Sequence, residues 1–154
     1  MHPNDNSYKE SWYYKKHQQE ITVLEFGKNA SDFWKHISNK TGFQLSDEKN
    51  IDELIFDWNN ILPHYNIPFD YVGCEKEIER LLLESILSQH EYVLFDIEYS
   101  DPIFKVKTEY FIKNWDDFIS ANHGMGSVVC SENFDLLLEF TNDHSYLIYS
   151  NFSI

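Results

Sequence analysis

The segment Phe134–Ile154, FDLLLEFTNDHSYLIYSNFSI, decides the fold, because two runs of alternating apolar residues flank the tetrapeptide TNDH at 141–144. A period of two is typical of β-strands, and Thr, Asn and Asp favour turns. We therefore predict a β-hairpin. Matching apolar residues across it favours an even loop of two or four residues. The predicted cross-strand pairs are Leu138 with Leu147, Leu136 with Tyr149 and Leu137 with Ile148.

Both faces of this hairpin are apolar. One face carries Phe134, Leu136, Leu138, Phe140, Leu147 and Tyr149, and the other offers Leu137, Tyr146, Ile148 and Phe152. Strands that are apolar on both faces are typical of the inside of a sheet. We therefore expect helices to cover one face and other segments to cover the second face in part.

The length of 154 residues indicates one domain, residues 1–154, with residues 1–7 as a loose tail. Hydrophobic residues make up 42% of the chain and aromatic residues 17%, which excludes disorder of the whole chain. The predicted fold class is α+β. A helical N-terminal half packs on a largely antiparallel sheet of about five strands, formed by residues 91–154.

Helical periodicity and end signals predict the helices. Their expected ranges are about 8–19, Ser31 or Asp32 to Lys40, Ser46 to Leu62, Glu75 to Gln89, and a short helix from Asn114. An extended piece should follow the first helix at 21–26. The two prolines and the terminal glycine of residues 63–73 favour an ordered loop.

The period changes to two after Glu91. We expect a hairpin of Tyr92–Tyr99 with Phe104–Phe111, and a further strand at Gly126–Ser131. The expected cross-strand pairs of the hairpin are Glu98 with Lys105, Asp96 with Lys107 and Ile97 with Val106. Opposite charges would then face each other on one side of the hairpin, and apolar residues on the other.

The charge is strongly acidic and uneven. Twelve Lys and Arg against 26 Asp and Glu give a net charge of −14. Residues 1–40 sum to +1 and residues 41–154 to −15. A surface of this sign repels nucleic acid and anionic lipid, and attracts cationic proteins.

Motifs for catalysis or metal binding are missing from the sequence. The seven His residues lack the spacing of a zinc site, which favours surface or capping roles. Cys74 at a helix start and Cys130 in a strand lack an evident base. Residues 123–126, HGMG, resemble a helix end and turn more than an anion-binding loop. We therefore expect no catalytic residue, no metal and no cofactor.

The location and the binding residues are also predicted. No apolar run has the ~20 residues of a membrane helix, the N-terminus lacks the pattern of a signal peptide, and two cysteines suit a reducing compartment, so we expect a cytoplasmic protein. The surplus of aromatic residues on an acidic background is typical of a protein-binding surface. The predicted binding residues are the aromatic Trp12, Trp34, Tyr65 and Tyr71 and the acidic Asp52, Glu53, Asp57, Glu75 and Glu79.

Three short runs carry a resemblance: WDDF at 115–118, SENFDLLLEF at 131–140 and LIYS at 147–150. They resemble the C-terminal part of small bacterial proteins of unknown function, some of which act as immunity partners of polymorphic toxins. The resemblance implies a non-enzymatic inhibitor of one toxin domain, without transferable site residues. The functional hypothesis is therefore an acidic protein-binding module, most concretely an immunity protein that neutralises a basic toxin domain. The alternative is a small hydrolase or ligand-binding protein.

Overall fold

The structure, a computed structural model, describes residues 7–46, 54–70, 73–97, 99, 102–121, 127–141 and 146–154. This part of the chain forms seven strands. They are β1 (Thr22–Leu24), β2 (Tyr65–Pro68), β3 (Tyr92–Phe95), β4 (Ile103–Lys107), β5 (Ser127–Ser131), β6 (Leu137–Thr141) and β7 (Leu147–Ser150). All are joined in one antiparallel sheet of order β1-β4-β3-β5-β6-β7-β2.

The described residues also form five α-helices and several 3-10 turns. The helices are α1 (Trp12–His17), α2 (Ala30–Thr41), α3 (Glu75–Glu84), α4 (Thr108–Lys113) and α5 (Trp115–Ser120). The 3-10 turns are Ser7–Glu10, Gln18–Glu20, Trp58–Asn60 and Ile86–Gln89. The predicted α+β class is confirmed. The sheet is larger than expected because the N-terminal half adds one strand to each edge.

Two apolar layers cover the two faces of the sheet. On the first, which we call the helical face, Tyr13, Ile78, Phe111 and Phe118 of α1, α3, α4 and α5 pack with Leu138 and other inward residues of the sheet. On the second, the cover face, side chains of α2 and of residues 54–61 pack on the strands. Those side chains are Phe33, Ile37, Phe56, Trp58 and Ile61, and they meet Leu94, Val128 and Leu137.

Several local predictions are confirmed. Helix α2 buries Phe33 and Ile37 and ends at Gly42, whose φ of 81° is the left-handed conformation that suits a glycine cap. The region of the predicted first helix holds α1 between two 3-10 turns, and β1 follows it. Helix α5 starts after Asn114, and β5 occupies the predicted third strand. Of the predicted tail, residues 1–6 lie outside the described residues and Ser7 begins a 3-10 turn.

The predicted register of the C-terminal hairpin is wrong. Thr141 pairs with Leu147 and Glu139 with Tyr149, so the loop between the strands has an odd number of residues. Glu139 lies on the same face of β6 as Leu137, where its side chain is buried and accepts hydrogen bonds. The expected internal position is confirmed, since β6 and β7 each have neighbours on both sides.

The predicted register of the β3–β4 hairpin is also wrong. Val106 lies opposite Val93 rather than Ile97, a shift of four residues. The chain leaves β3 at Asp96, whose carboxyl is buried and accepts a hydrogen bond from Val128 N. β4 ends at Lys107, where α4 begins. The charged ladder expected between the two strands is therefore not formed by Asp96, and Glu98 lies outside the described residues.

The helix predicted from Ser46 to Leu62 is wrong for its described part, and residues 47–53 lie outside the described residues. Phe56 forms an isolated antiparallel bridge with Leu45. The N–H groups of Ile55 and Phe56 donate to Glu139 instead of to helical carbonyls. The apolar residues here are spaced three and four apart, which is the spacing of a buried helix face. The observed burial does not follow that spacing, because Phe56 is buried and Leu62 is exposed.

Two further boundaries differ from the prediction. The helix expected to continue to Gln89 is interrupted at Ser85, whose hydroxyl donates to Leu82 O and accepts from Leu87 N. Serine competes in this way with helical backbone bonds. The segment 63–73, predicted as a loop, contains the edge strand β2, in which Pro68 is tolerated because an edge strand needs fewer backbone donors.

Candidate functional site

A buried histidine joins three helices on the helical face. His17, at the end of α1, lies 2.5 Å from Tyr110 Oη of α4 through Nδ1 and 2.8 Å from Asp117 Oδ2 of α5 through Nε2. Its ring also contacts that of Phe118, with the centroids 4.7 Å apart. This placement corrects the prediction of surface or capping roles for the histidines. Both ring nitrogens are occupied, so the imidazole acts as a tie between helices.

Asp117 also contacts a lysine. Lys16 Nζ lies 2.8 Å from Asp117 Oδ2. Partial burial acts to raise the pKa of Asp117, but the contacts with Lys16 and His17 outweigh it and lower that pKa. Burial raises the pKa of Tyr110, and the nearby charges of Glu20 and Asp117 add to this effect. Tyr110 therefore stays a neutral phenol that can share its proton with His17.

A polar cleft of about 280 Å³ opens beside this tie. Its lining residues are Lys15, Lys16, His17, Gln18, Gln19, Glu20 and Tyr110. The two lysines are already paired, Lys15 with Glu10 and Lys16 with Asp117. A catalytic base needs a free lone pair facing a substrate, and the geometry of His17 offers none. The chemistry available in the cleft is hydrogen bonding by amides and by Tyr110.

Two carboxyls are buried on the cover face. Glu139 accepts hydrogen bonds from Ile55 N at 2.6 Å, Phe56 N at 3.1 Å and Trp58 Nε1 at 2.9 Å. Burial raises the pKa of Glu139 to about 7; the three donors oppose the rise, and the charge of Asp96 adds to it. Glu139 thus holds residues 55–58 against the sheet through one carboxyl group.

Asp96 follows β3 and is equally buried. Asp96 Oδ1 accepts from Val128 N at 2.7 Å. Burial raises the pKa of Asp96 to about 7, against the opposing hydrogen bonds. The Trp34 indole N–H also acts to lower this pKa, although it lies outside the geometry of a full hydrogen bond. Burial and the charge of Asp96 together raise the pKa of the Cys130 thiol, which is unreactive as a result.

Exposed apolar side chains are concentrated at the edge strand β2. Of the seven large hydrophobic side chains exposed in the described residues, three lie along this edge: Leu62 at 82% before the strand, Tyr65 at 41% at its start, and Tyr146 at 42% opposite Phe69, just past its end. Tyr146 is placed by Phe69, whose N–H donates to Tyr146 O and whose ring centroid is 5.5 Å from that of Tyr146. We call Leu62, Tyr65 and Tyr146 the β2 edge patch.

Acidic residues flank the β2 edge patch along the chain. Asp57 precedes it, with its carboxylate accepting from Asn60 Nδ2. Glu75 follows it at the start of α3, where its carboxylate accepts from Gly73 N and its carbonyl from Trp115 Nε1. Glu79 is one turn further along α3 and pairs with Lys76. The predicted residues Tyr71, Asp52 and Glu53 lie outside the described residues.

The structure does not bring the predicted aromatic residues together. Trp12 is 49% exposed on α1, next to Tyr13, whose ring packs on Phe104 of β4. Five strand spacings of about 4.8 Å separate β4 from β2, which places Trp12 and Tyr65 on the order of 24 Å apart. Trp34 lies on α2, half-buried against Tyr99. An interface of ordinary size can therefore have Tyr65 or Trp12 at its centre, but not both.

Sequence reasoning missed the roles of His17, Asp96 and Glu139. A signal was present for Glu139, which stands alone among Leu136, Leu137, Leu138 and Phe140 in an apolar strand. A lone acid in a strand buried on both faces indicates a hydrogen-bonded carboxyl. His17 carried no such signal, because its neighbours in sequence are polar.

Metal ligands do not converge within the part of the chain that the structure describes, where no group of three His, Cys, Asp or Glu side chains is placed to hold an ion. Residues 123–126 lie outside that part. No described helix combines the length and apolar character needed to cross a membrane. Comparison of the chain with known protein families, and with curated protein sequences, gave no match.

Proposed function

We propose that this protein is an acidic protein-binding module that docks a cationic partner protein on its β2 edge patch. The observation that carries the proposal is the position of the exposed Leu62, Tyr65 and Tyr146 along one sheet edge of a protein with net charge −14. Exposed Tyr among acidic residues combines a rigid contact area with attraction for basic partners. In its most concrete form, the module is a cytoplasmic immunity protein that neutralises a basic toxin domain.

The edge strand itself favours contact through side chains. Phe69 N donates to Tyr146 O, so by antiparallel alternation Tyr65 and Ile67 bond to β7 while Asn66 and Pro68 direct their backbone outward. Pro68 has no N–H, which leaves Asn66 as the outward backbone donor of β2. A partner strand added here would gain few hydrogen bonds. Recognition therefore falls to the exposed side chains of the patch.

Charge and apolar contact have separate kinetic roles in this proposal. Long-range attraction raises the association rate and is screened by salt, since the Debye length falls from about 30 Å at 0.01 M to about 8 Å at 0.15 M ionic strength. Short-range packing of Tyr65 controls dissociation. The two contributions can therefore be measured independently.

The experiment uses the full chain as bait in a lysate of its source organism, followed by kinetics with the purified partner. We expect a partner of net positive charge, with an association rate that falls about tenfold or more between 0.01 M and 0.15 M ionic strength. Tyr65→Ala should raise the dissociation rate about tenfold. Tyr99→Ala is the matched control, because Tyr99 is similarly exposed and lies beside Trp34, away from β2.

The outcomes separate clearly. Recovery of acidic or neutral partners, or association rates indifferent to salt, would contradict the proposal. Equal effects of Tyr65→Ala and Tyr99→Ala would remove the β2 edge patch as the docking surface.

The competing function, a small hydrolase or ligand-binding protein, draws support from the polar cleft beside His17. That cleft favours ligand binding over hydrolysis, because both nitrogens of His17 are engaged by Tyr110 and Asp117. Tyr110→Phe distinguishes the functions. It should leave partner binding unchanged if the β2 edge patch is the site, and weaken ligand binding if the cleft is.

A further inference from the structure

The polar cleft beside His17 is formed mainly by one short stretch of chain. Residues 15–20, the end of α1 and the 3-10 turn that follows it, supply six of its seven lining residues, and Tyr110 of α4 supplies the seventh. Ligand pockets usually measure about 300–1,000 Å³, so a volume of about 280 Å³ limits the occupant to a small molecule. The lining side chains all carry polar groups, which favours a polar occupant.

The proton positions in the His17 tie decide what Tyr110 can offer to a ligand. Partial burial acts to raise the pKa of Asp117, but the contacts with Lys16 and His17 outweigh it, so Asp117 is an ionised acceptor. The Nε2 of a neutral His17 therefore donates to Asp117, and Nδ1 is left as an acceptor. Tyr110 donates its O–H to that Nδ1 at 2.5 Å. In the cleft, Tyr110 Oη is then an acceptor without a proton to give.

Glu20 provides a second acceptor, and it carries a negative charge. It ends the 3-10 turn with its side chain exposed, and none of the ion pairs formed by the described residues involves it. Burial is the main cause of the raised pKa of Tyr110, and the charge of Glu20 is the next. The Glu20 carboxylate is therefore close enough to act on Tyr110 Oη.

The two lysines of the cleft do not balance this charge. Lys15 Nζ lies 3.3 Å from Glu10, and Lys16 Nζ lies 2.8 Å from Asp117, so each lysine is already paired with a carboxylate. Glu20 is left as the unbalanced charge among the lining residues. An anionic ligand would meet this carboxylate and a phenol oxygen that has no proton to donate, so the arrangement disfavours anions.

We propose that the cleft binds a small organic cation that carries a primary ammonium group. The ammonium donates one hydrogen bond to the Glu20 carboxylate and one to Tyr110 Oη. Its third N–H reaches the side-chain oxygen of Gln18 or Gln19, since an amide side chain can turn its oxygen or its nitrogen inward. Charge-assisted hydrogen bonds are about twice as strong as neutral ones, so the cleft prefers an ammonium to a hydroxyl.

This site is separate from the β2 edge patch. Tyr110 belongs to α4, which follows β4 next to one edge of the sheet, whereas β2 is the opposite edge. The proposal therefore does not rest on the docking of a partner protein, and a single chain can carry both sites.

Titration of the full chain with three probes of equal length tests the proposal. The probes are putrescine, which is a four-carbon diamine, the diol of the same length, and succinate, the dicarboxylate of the same length. At neutral pH they are cationic, uncharged and anionic respectively. We expect putrescine to shift the side-chain amide NMR signals of Gln18 and Gln19, with a Kd on the order of 1 mM. The diol and succinate should leave these signals unchanged.

Two variants locate the contact, at an ionic strength of about 0.15 M that screens general attraction. Glu20→Gln keeps the shape of the side chain and removes its charge, so putrescine should bind at least about tenfold more weakly. Tyr110→Phe removes the second acceptor and should weaken binding about fivefold. Glu25→Gln is the matched control, because Glu25 is an exposed acid of the same stretch of chain that does not line the cleft. It should bind putrescine as the wild type does.

Three outcomes overturn the proposal. Putrescine shifts that do not saturate, or that spread over acids throughout the surface, show general attraction to a protein of net charge −14. Equal weakening by Glu20→Gln and Glu25→Gln shows the same. Binding of the diol or of succinate as tightly as putrescine contradicts a site for an ammonium group.

Discussion

On the helical face of the sheet, four helices bury an apolar layer whose buried histidine, His17, is fully hydrogen-bonded. On the cover face, α2 and an irregular segment bury an apolar layer that contains two carboxyls, neither of which forms an ion pair with any described residue. The same strands contribute to both layers. The difference indicates that the helical face stabilises the fold. On the cover face, the cost of burying two carboxyls opposes the gain from burying apolar side chains. We therefore expect the cover face to be the one that responds to pH.

Two adjacent residues of β6 give the largest expected effect. Leu138 and Leu137 are both fully buried, on the helical face and the cover face respectively. Leu→Ala in a core costs about 2–5 kcal/mol, depending on how far the site can collapse. We expect Leu138→Ala near the upper end and Leu137→Ala near the lower end, because residues 54–61, which cover Leu137 with little regular structure, can move inward. Chemical denaturation measures the free energy of unfolding of both variants. Equal losses for the two variants would contradict the proposed difference between the faces.

The two buried tryptophans give a smaller, matched effect. Trp58 Nε1 donates to the Glu139 carboxylate on the cover face, and Trp115 Nε1 donates to the neutral Glu75 carbonyl on the helical face. Hydrogen bonds to charged groups contribute about 1.5–3 kcal/mol and neutral ones about 0.5–1.5 kcal/mol. At pH 8, above the pKa of about 7 of Glu139, the carboxyl is ionised, so Trp58→Phe should reduce the free energy of unfolding more than Trp115→Phe. The reverse order would show that Glu139 is not a strong acceptor.

The smallest effect concerns a partly exposed ion pair. Lys105 Nζ lies 2.5 Å from Glu132 and 4.4 Å from the ring centroid of Tyr92. Surface ion pairs contribute about 0.2–1 kcal/mol. Lys105→Glu should cost no more than about 1 kcal/mol, and 1 M salt should shrink that loss. A loss of several kcal/mol, insensitive to salt, would mean that the pair is buried in solution.

Local signals explain which parts of the fold the sequence predicts. Helix α2 has its apolar stripe, Phe33 with Ile37, and its glycine cap, Gly42, within a few residues of one another. The strands β5 to β7 follow from apolar runs. The internal position of the hairpin also follows, because both of its faces are apolar.

Distant partners explain what the sequence does not predict. Glu139 meets Ile55 and Phe56 across 84 and 83 residues, and His17 meets Tyr110 and Asp117 across 93 and 100. The observed hairpin register places Glu139 opposite Tyr149, a pairing that matching apolar residues within the hairpin did not predict. Tyr65 could be predicted as an exposed aromatic residue, but its place on the same sheet edge as Tyr146 required the position of β2 beside β7.

The most direct test of the difference between the faces is the free energy of unfolding as a function of pH. Folding raises the pKa of Asp96 and of Glu139 to about 7, so between about pH 4 and pH 7 the folded state binds more protons than the unfolded state. Stability should therefore fall as the pH rises through this window, by about 5 kcal/mol from pH 5 to pH 8, and then level off. Asp96→Asn should lose about half of that slope. A stability that is flat or that rises between pH 5 and pH 8, with no difference between wild type and Asp96→Asn, would contradict the account.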